Sequence, residues 1–203
     1  MLDHIMSNFI VSVNNMSCFF NHIDVFTRFK LFRSFCTSYY GCELWLLNCS
    51  SLLSFCISWR RALRTVWRLP FRTHSFLLPL ISNILPFYDE ICRRSINFLR
   101  LCFFHSSSLI RFIAHHGILY GNLSSFLRQN LYFCSNRFSC SVHNVLYCTN
   151  MYILSETFDD TMMDNARTLL ELLLLRNSTL HCGFTTDEIN CLINYLCTAP
   201  NND

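Results

Sequence analysis

Apolar residues recur along this chain at intervals of three and four far more often than in strict alternation, the pattern of helices packed on one side. In Phe55 to His74, "FCISWRRALRTVWRLPFRTH", residues Phe55, Trp59, Ala62, Leu63 and Val66 share one side of a 3.6-residue helix. Arg60, Arg61, Arg64 and Arg68 project from the other side. Ser50 or Ser51 is placed to cap this helix, which is expected to run through Arg68, and Pro70 stops it. Ile5, Phe9, Ile10, Val13 and Met16 line an earlier amphipathic stretch, and Phe26, Phe29, Phe32 and Phe35 lead a second one towards "YYGCELW". Further helices are expected over 74–84, 88–104, 107–116 and 122–134; only 39–47 and 139–152 carry a pattern compatible with strands.

The C-terminal part has clearer punctuation. "SETFDDTMMDNARTLLELLLLR" offers Asp159 or Asp160 as an N-cap before an apolar helix, with acids where the helix dipole favours them. Thr185 and Glu188 have capping-box spacing ahead of Ile189, Leu192, Ile193 and Leu196. These two helices are expected to pair as a hairpin over an apolar surface. The predicted fold is therefore mainly α, an irregular helical bundle: residues 1–135 form a helical domain carrying the Arg/Trp helix, 136–155 a linker, and 156–203 an acidic helical hairpin.

Composition sharpens this picture. The 203 residues are 52% apolar and only 14% charged, which excludes general disorder and implies a real core. The net charge of +3 hides an asymmetry: residues 1–150 carry 14 basic against 5 acidic side chains, a net of +9, and residues 151–203 carry 2 against 8, a net of −6. Fifteen of the sixteen basic residues are Arg, whose planar guanidinium makes bidentate contacts to phosphate and stacks on bases. One face of the Arg/Trp helix asks for a core and the other for anions.

Thirteen cysteines in irregular spacing, with no charged-then-apolar leader in "MLDHIMSNFIVSVNN", lead us to expect an intracellular chain with reduced thiols. The charge-free run 44–59 is 16 residues long and holds Asn48 and four serines, short of the ~18–20 apolar residues a membrane span needs. A second uncharged run, 73–88, is broken by Pro79 and Pro86. A membrane partner is accordingly not expected.

Sites of chemistry are sparse. No P-loop, dinucleotide fingerprint or Gly-x-Ser-x-Gly is present, and the "TFDD" acids read as a helix cap rather than as metal-binding carboxylates, so no catalytic residue and no cofactor is expected. Cys134, Cys140, His143 and Cys148 give C-x5-C-x2-H-x4-C, whose first gap is too wide for the usual turn between paired zinc ligands; buried thiols are the commoner outcome. His115 and His116 are adjacent and would point about 100° apart on a helix, so they cannot share a metal.

A family resemblance does bear on the arginines. "KLFRSFCTSYYGCELWLLNCSSLLSFCISWRRALRTVWRLPFRTHSFLLPLISNILPF" resembles the region just downstream of the polymerase core in reverse transcriptases of non-LTR (LINE-type) retrotransposons. The matching features are Tyr40-Gly41 with Trp45, then Trp59-Arg60 with Arg64 and Trp67, then Leu69-Pro70 with Arg72-Thr73-His74. "FIVSVNNMSCFF" is similar to that family's helix leading out of the palm, "RFIAHHGILYGNLSSFLRQNL" to its later helices, and "ELLLLRNSTLHCGFTTDEINCLINYLCT" to its tail.

The resemblance implies a thumb and C-terminal extension whose palm and endonuclease would lie upstream of Met1, and hence a truncated element without catalysis of its own. Its implied partners are the missing palm and an RNA–DNA hybrid or other nucleic-acid backbone, gripped independently of sequence by Arg60, Arg61, Arg64, Arg68, Arg72 and His74. Trp45, Trp59 and Trp67 join the apolar stripe and are expected in the core. The alternative from a different class is a helical membrane-associated or protein-interaction domain whose arginines meet acidic lipid or a partner.

Overall fold

A computed structural model describes residues 2–120, 125–147, 160–177 and 185–198. These form ten α-helices: α1 (Leu2–Phe19), α2 (Val25–Phe35), α3 (Ser50–Trp67), α4 (Leu77–Ser82), α5 (Phe87–Phe103), α6 (Ser108–His115), α7 (Phe126–Arg137), α8 (Val142–Tyr147), α9 (Asp160–Asn177) and α10 (Thr186–Thr198). A single 3-10 turn, Cys42–Leu44, precedes α3, and a π-helical turn, His116–Tyr120, extends α6. The mainly helical expectation is met. No strand occurs among the described residues: 39–47 folds as an irregular loop around the 3-10 turn, and within the expected strand 139–152 residues 142–147 form α8, while 148–152 lie outside the described residues.

The helix ends follow local chemistry. Asp24 caps α2, its carboxylate accepting from the Phe26 and Thr27 amides at 3.0 and 2.9 Å. The expected serine cap of α3 is not observed: Cys49 is the N-cap residue, without a side-chain cap bond, and Ser50 is already the first helical residue. At the other end, Arg68 leaves the helix in the left-handed region (φ 52°, ψ 42°), and the Leu69 amide reaches back to the Arg64 carbonyl at 2.9 Å. That conformation, ordinarily supplied by Gly, costs an Arg about 1–2 kcal/mol. The Thr185–Glu188 capping box forms as expected, with the Thr185 amide donating to Glu188 Oε2 at 2.7 Å and the Glu188 amide to Thr185 Oγ1 at 3.3 Å. Asp159, one of the two candidate caps of α9, lies outside the described residues; Asp160 is the first residue of that helix.

An aromatic cluster organises the core. Phe9 of α1 meets Phe55 of α3 at 5.1 Å, Phe55 meets Phe87 of α5 at 4.7 Å, and Tyr39 stands edge-on to Phe87 at 5.1 Å. The three tryptophans are core residues, 1%, 4% and 2% exposed at Trp45, Trp59 and Trp67. Both α1 and α2 pack on α3, while α5 carries the 3-10 turn, α6, α7 and α8. The expected linker thus contains a helix that packs on α5 and α7 and buries Val145 and Leu146.

Two long-range polar ties close the structure. Asn130 of α7, fully buried, accepts the Leu47 amide at 3.0 Å and donates to the Trp45 carbonyl at 2.7 Å, so that the loop before α3 has its backbone satisfied without a sheet. The α9–α10 hairpin forms as expected and lies against α4, where Leu169, Leu173, Ile189 and Ile193 enter the same core. The His74 amide donates to the Cys197 carbonyl at 3.1 Å and fixes the end of α10 to the turn after α3.

Candidate functional site

Because α3 buries Phe55, Trp59, Leu63 and Val66, the helical period obliges the side chains between them to face outward. Arg60 and Arg61 lie on that outward face and are exposed, and Arg72 is exposed in the turn beyond Pro70. None of these three forms an ion pair with a described residue. His74 follows, half-buried, its ring stacked on Phe76 at 5.6 Å.

Arg64 and Arg68 behave differently. Arg64 is half-buried and folds back along the turn, donating from Nε and Nη2 to the Thr73 carbonyl at 3.2 and 2.6 Å. Burial, with Arg60 and Arg61 close by, shifts its pKa downward. Arg68, turned aside by its left-handed backbone, donates to the carbonyls of Asn21 and Ile23 in the α1–α2 turn. The five arginines therefore divide: three project into solvent, and two hold the segments that flank α3.

The structure adds two guanidiniums that helical periodicity does not single out. Arg28 of α2, 2% exposed, donates to the Phe20 and Asn21 carbonyls at 3.2 and 2.7 Å. Arg176 of α9 donates to the Trp67 carbonyl at 3.3 Å, where the negative end of the α3 dipole favours a cation. Burial, and then the nearby Arg68 charge, lowers the pKa of each. Arg28 and Arg176 thus join Arg68 around the end of α3, and none of the three forms an ion pair with a described residue.

The candidate zinc ligands go separate ways. Cys134 is buried beside Cys92, a hydrogen bond with that thiol and burial both raising its pKa, whereas His143 is exposed and stacks on Tyr147 at 4.3 Å. Cys148 lies outside the described residues. Among the described residues no group of three His, Cys, Asp or Glu side chains gathers, and no helix is long and apolar enough to cross a membrane. The Ser108–Tyr120 segment also presents Leu109, Phe112, Ile113, Leu119 and Tyr120 to solvent, with only Ala114 and Ile118 buried.

No protein-family model, curated protein or solved structure matches this chain.

Proposed function

We propose that this chain is a non-catalytic helical module, similar to the thumb and C-terminal part of a retrotransposon reverse transcriptase, that binds the phosphate backbone of a nucleic-acid duplex. The observation that supports this reading is the solvent-facing set Arg60, Arg61 and Arg72, three cations held on one rigid helix and its following turn without a carboxylate partner among the described residues. A helix so charged meets phosphates by position and sign rather than by base identity. An RNA–DNA hybrid, with its A-like geometry, suits such a shape-and-phosphate reader.

Within this reading Arg64 and Arg68 contribute field and architecture, because their donors are already engaged with carbonyls. His74 sits at the edge of the same turn. The apolar side chains of Leu109, Phe112 and Ile113 offer a surface against which a polymerase palm could pack.

The test is the salt dependence of binding. Arg60→Gln and Arg61→Gln should weaken binding to every duplex sequence alike, and each should lower the log–log salt slope by about 0.7–0.9. Arg64→Gln should instead lower the melting temperature, since it releases the Thr73 carbonyl. Unchanged slopes in the first two variants would overturn the assignment. Tighter binding to anionic vesicles than to an RNA–DNA hybrid would transfer the arginine face to the membrane-associated class.

A further inference from the structure

A surface helix ordinarily turns its apolar stripe inward; α6 turns its own outward. Ala114 and, in the π-helical turn, Ile118 are buried, and the His115 ring lies face-on to Phe103 of α5 at 3.8 Å, so this side of the segment is the one that meets the protein. At about 100° per residue, Leu109, Phe112, Ile113, His116 and Tyr120 fall on the other side. All five are exposed, the four apolar ones from 57% at Ile113 to 77% at Tyr120.

The stripe is poor in groups that a protein partner would pair with. The His116 ring sits within it, 5.9 Å from Phe112 and 5.8 Å from Tyr120, and of the five side chains only these His and Tyr residues carry a polar atom. Protein–protein interfaces hold about one hydrogen bond per 100–200 Å2, which such a surface does not supply. The segment is also a ridge, since from Ser108 to Ile113 every residue is exposed. A fluid apolar phase receives a ridge without needing a matching groove.

Charge selects the phase. From residue 91 to residue 155 the chain contains six arginines and no acidic residue. Arg111, exposed, flanks the stripe from within α6, and Arg100 stands half-buried in the last turn of α5, the helix on which α6 packs. Neither forms an ion pair with a described residue. Exposed Leu, Phe and Ile bordered by unopposed guanidiniums are what an interfacial helix presents to anionic lipid.

We infer that the outward face of α6 and its π-helical extension is a membrane-surface site, lying in the interface of an anionic bilayer with Leu109, Phe112 and Ile113 towards the acyl chains and Arg111 and Arg100 at the headgroup phosphates. Tyr120 takes the level where aromatic side chains with a polar tip collect. No helix among the described residues is long and apolar enough to cross a membrane, and attachment of this kind needs none. The site is distinct from the proposed duplex-binding face, whose Arg60, Arg61 and Arg72 belong to α3 and the turn after it.

The experiment is sedimentation of the full chain with phosphatidylcholine vesicles and with vesicles of which about a quarter of the lipid is phosphatidylserine. The chain should bind the anionic vesicles, and the neutral ones about fivefold more weakly or less. Leu109→Gln and Phe112→Gln should each weaken vesicle binding about tenfold, the order expected when one large apolar side chain is withdrawn from lipid. Arg111→Gln should weaken binding to the anionic vesicles about fivefold and leave the neutral ones unmoved. Helix content and melting without lipid should survive in all three variants, because the replaced side chains are exposed. Phe112→Trp provides a second reading: acyl-chain-brominated lipid should quench its added emission, while the three native tryptophans, all buried, should stay unquenched. Arg60→Gln should leave vesicle binding intact, and Leu109→Gln should leave the salt slope of duplex binding intact, so the two proposals fail separately. Absence of binding to anionic vesicles would assign the face to a protein partner, a palm included. Vesicle binding unmoved in Leu109→Gln and Phe112→Gln but weakened in Arg60→Gln would move the lipid contact to α3. Either result, or an unquenched Phe112→Trp, would overturn the inference.

Discussion

Replacing Trp67 by Ala should lower stability by about 3–5 kcal/mol, the range for truncating a buried Trp. The side chain is 2% exposed, donates from Nε1 to Ser82 Oγ at 2.9 Å, stacks on Phe29 at 5.0 Å and meets Phe26 edge-on at 5.4 Å. Its removal opens a cavity where α2, α3 and α4 meet and leaves the Ser82 hydroxyl buried without that donor. Since native proteins are stable by only ~5–15 kcal/mol, the variant should approach the unfolding threshold. Urea denaturation reads this directly, as a midpoint shift with the slope preserved. An unmoved midpoint would mean that Trp67 is not packed in this way. Trp67→Phe should cost less, because most of the volume stays.

The second large effect is expected at Asn130. Asn130→Ala removes the acceptor of the Leu47 amide and the donor to the Trp45 carbonyl, together with a weaker contact to Ser95 Oγ at 3.3 Å. Each buried backbone group left unsatisfied costs about 1–3 kcal/mol, so the loss should reach about 3 kcal/mol despite the small change in volume. The Tyr88 hydroxyl still donates to the Leu47 carbonyl at 2.6 Å, so the loop should loosen rather than detach. Thermal melting measures the cost. A loss no larger than that of an exposed substitution would show that water replaces the amide.

These two residues also mark how far the sequence was legible. Periodicity placed the helices other than α8 within a few residues, including α3 with its buried stripe and the three buried tryptophans, because that information is local. The stretch 39–47 was compatible with a strand since its large apolar residues bury Tyr39, Trp45 and Leu47, but the partner that satisfies its backbone is Asn130, more than 80 residues away. No local pattern announces that partner.

The arginines repeat the point. A helical wheel correctly puts Arg60 and Arg61 outside, yet it places only the Cα–Cβ direction. It cannot show that Arg64 reaches a carbonyl nine residues ahead, that Arg68 twists towards the α1–α2 turn, or that Arg28 and Arg176 come from other helices to the end of α3. The ion pairs of Glu90 with Arg93 and Arg94, at 2.8 and 2.7 Å, were legible only as a three- and four-residue spacing shared with ordinary surface pairs.

Arg28 and Arg68 both spend donors on the Asn21 carbonyl, and Arg68 holds its charge there at the expense of an unfavourable backbone. Like charges have been gathered where, among the described residues, neutral dipoles provide the compensation. Dissolved salt must therefore act on this end of α3 in opposite senses. If the chain binds a phosphate backbone as proposed, counterions that loosen that ligand also relieve the repulsion among the guanidiniums, so between low and moderate ionic strength the free protein should gain melting temperature while affinity falls. Affinity and thermal stability would then be anticorrelated along a single salt titration, and a chain brought to very low salt to favour its ligand would be least stable when that ligand is withheld.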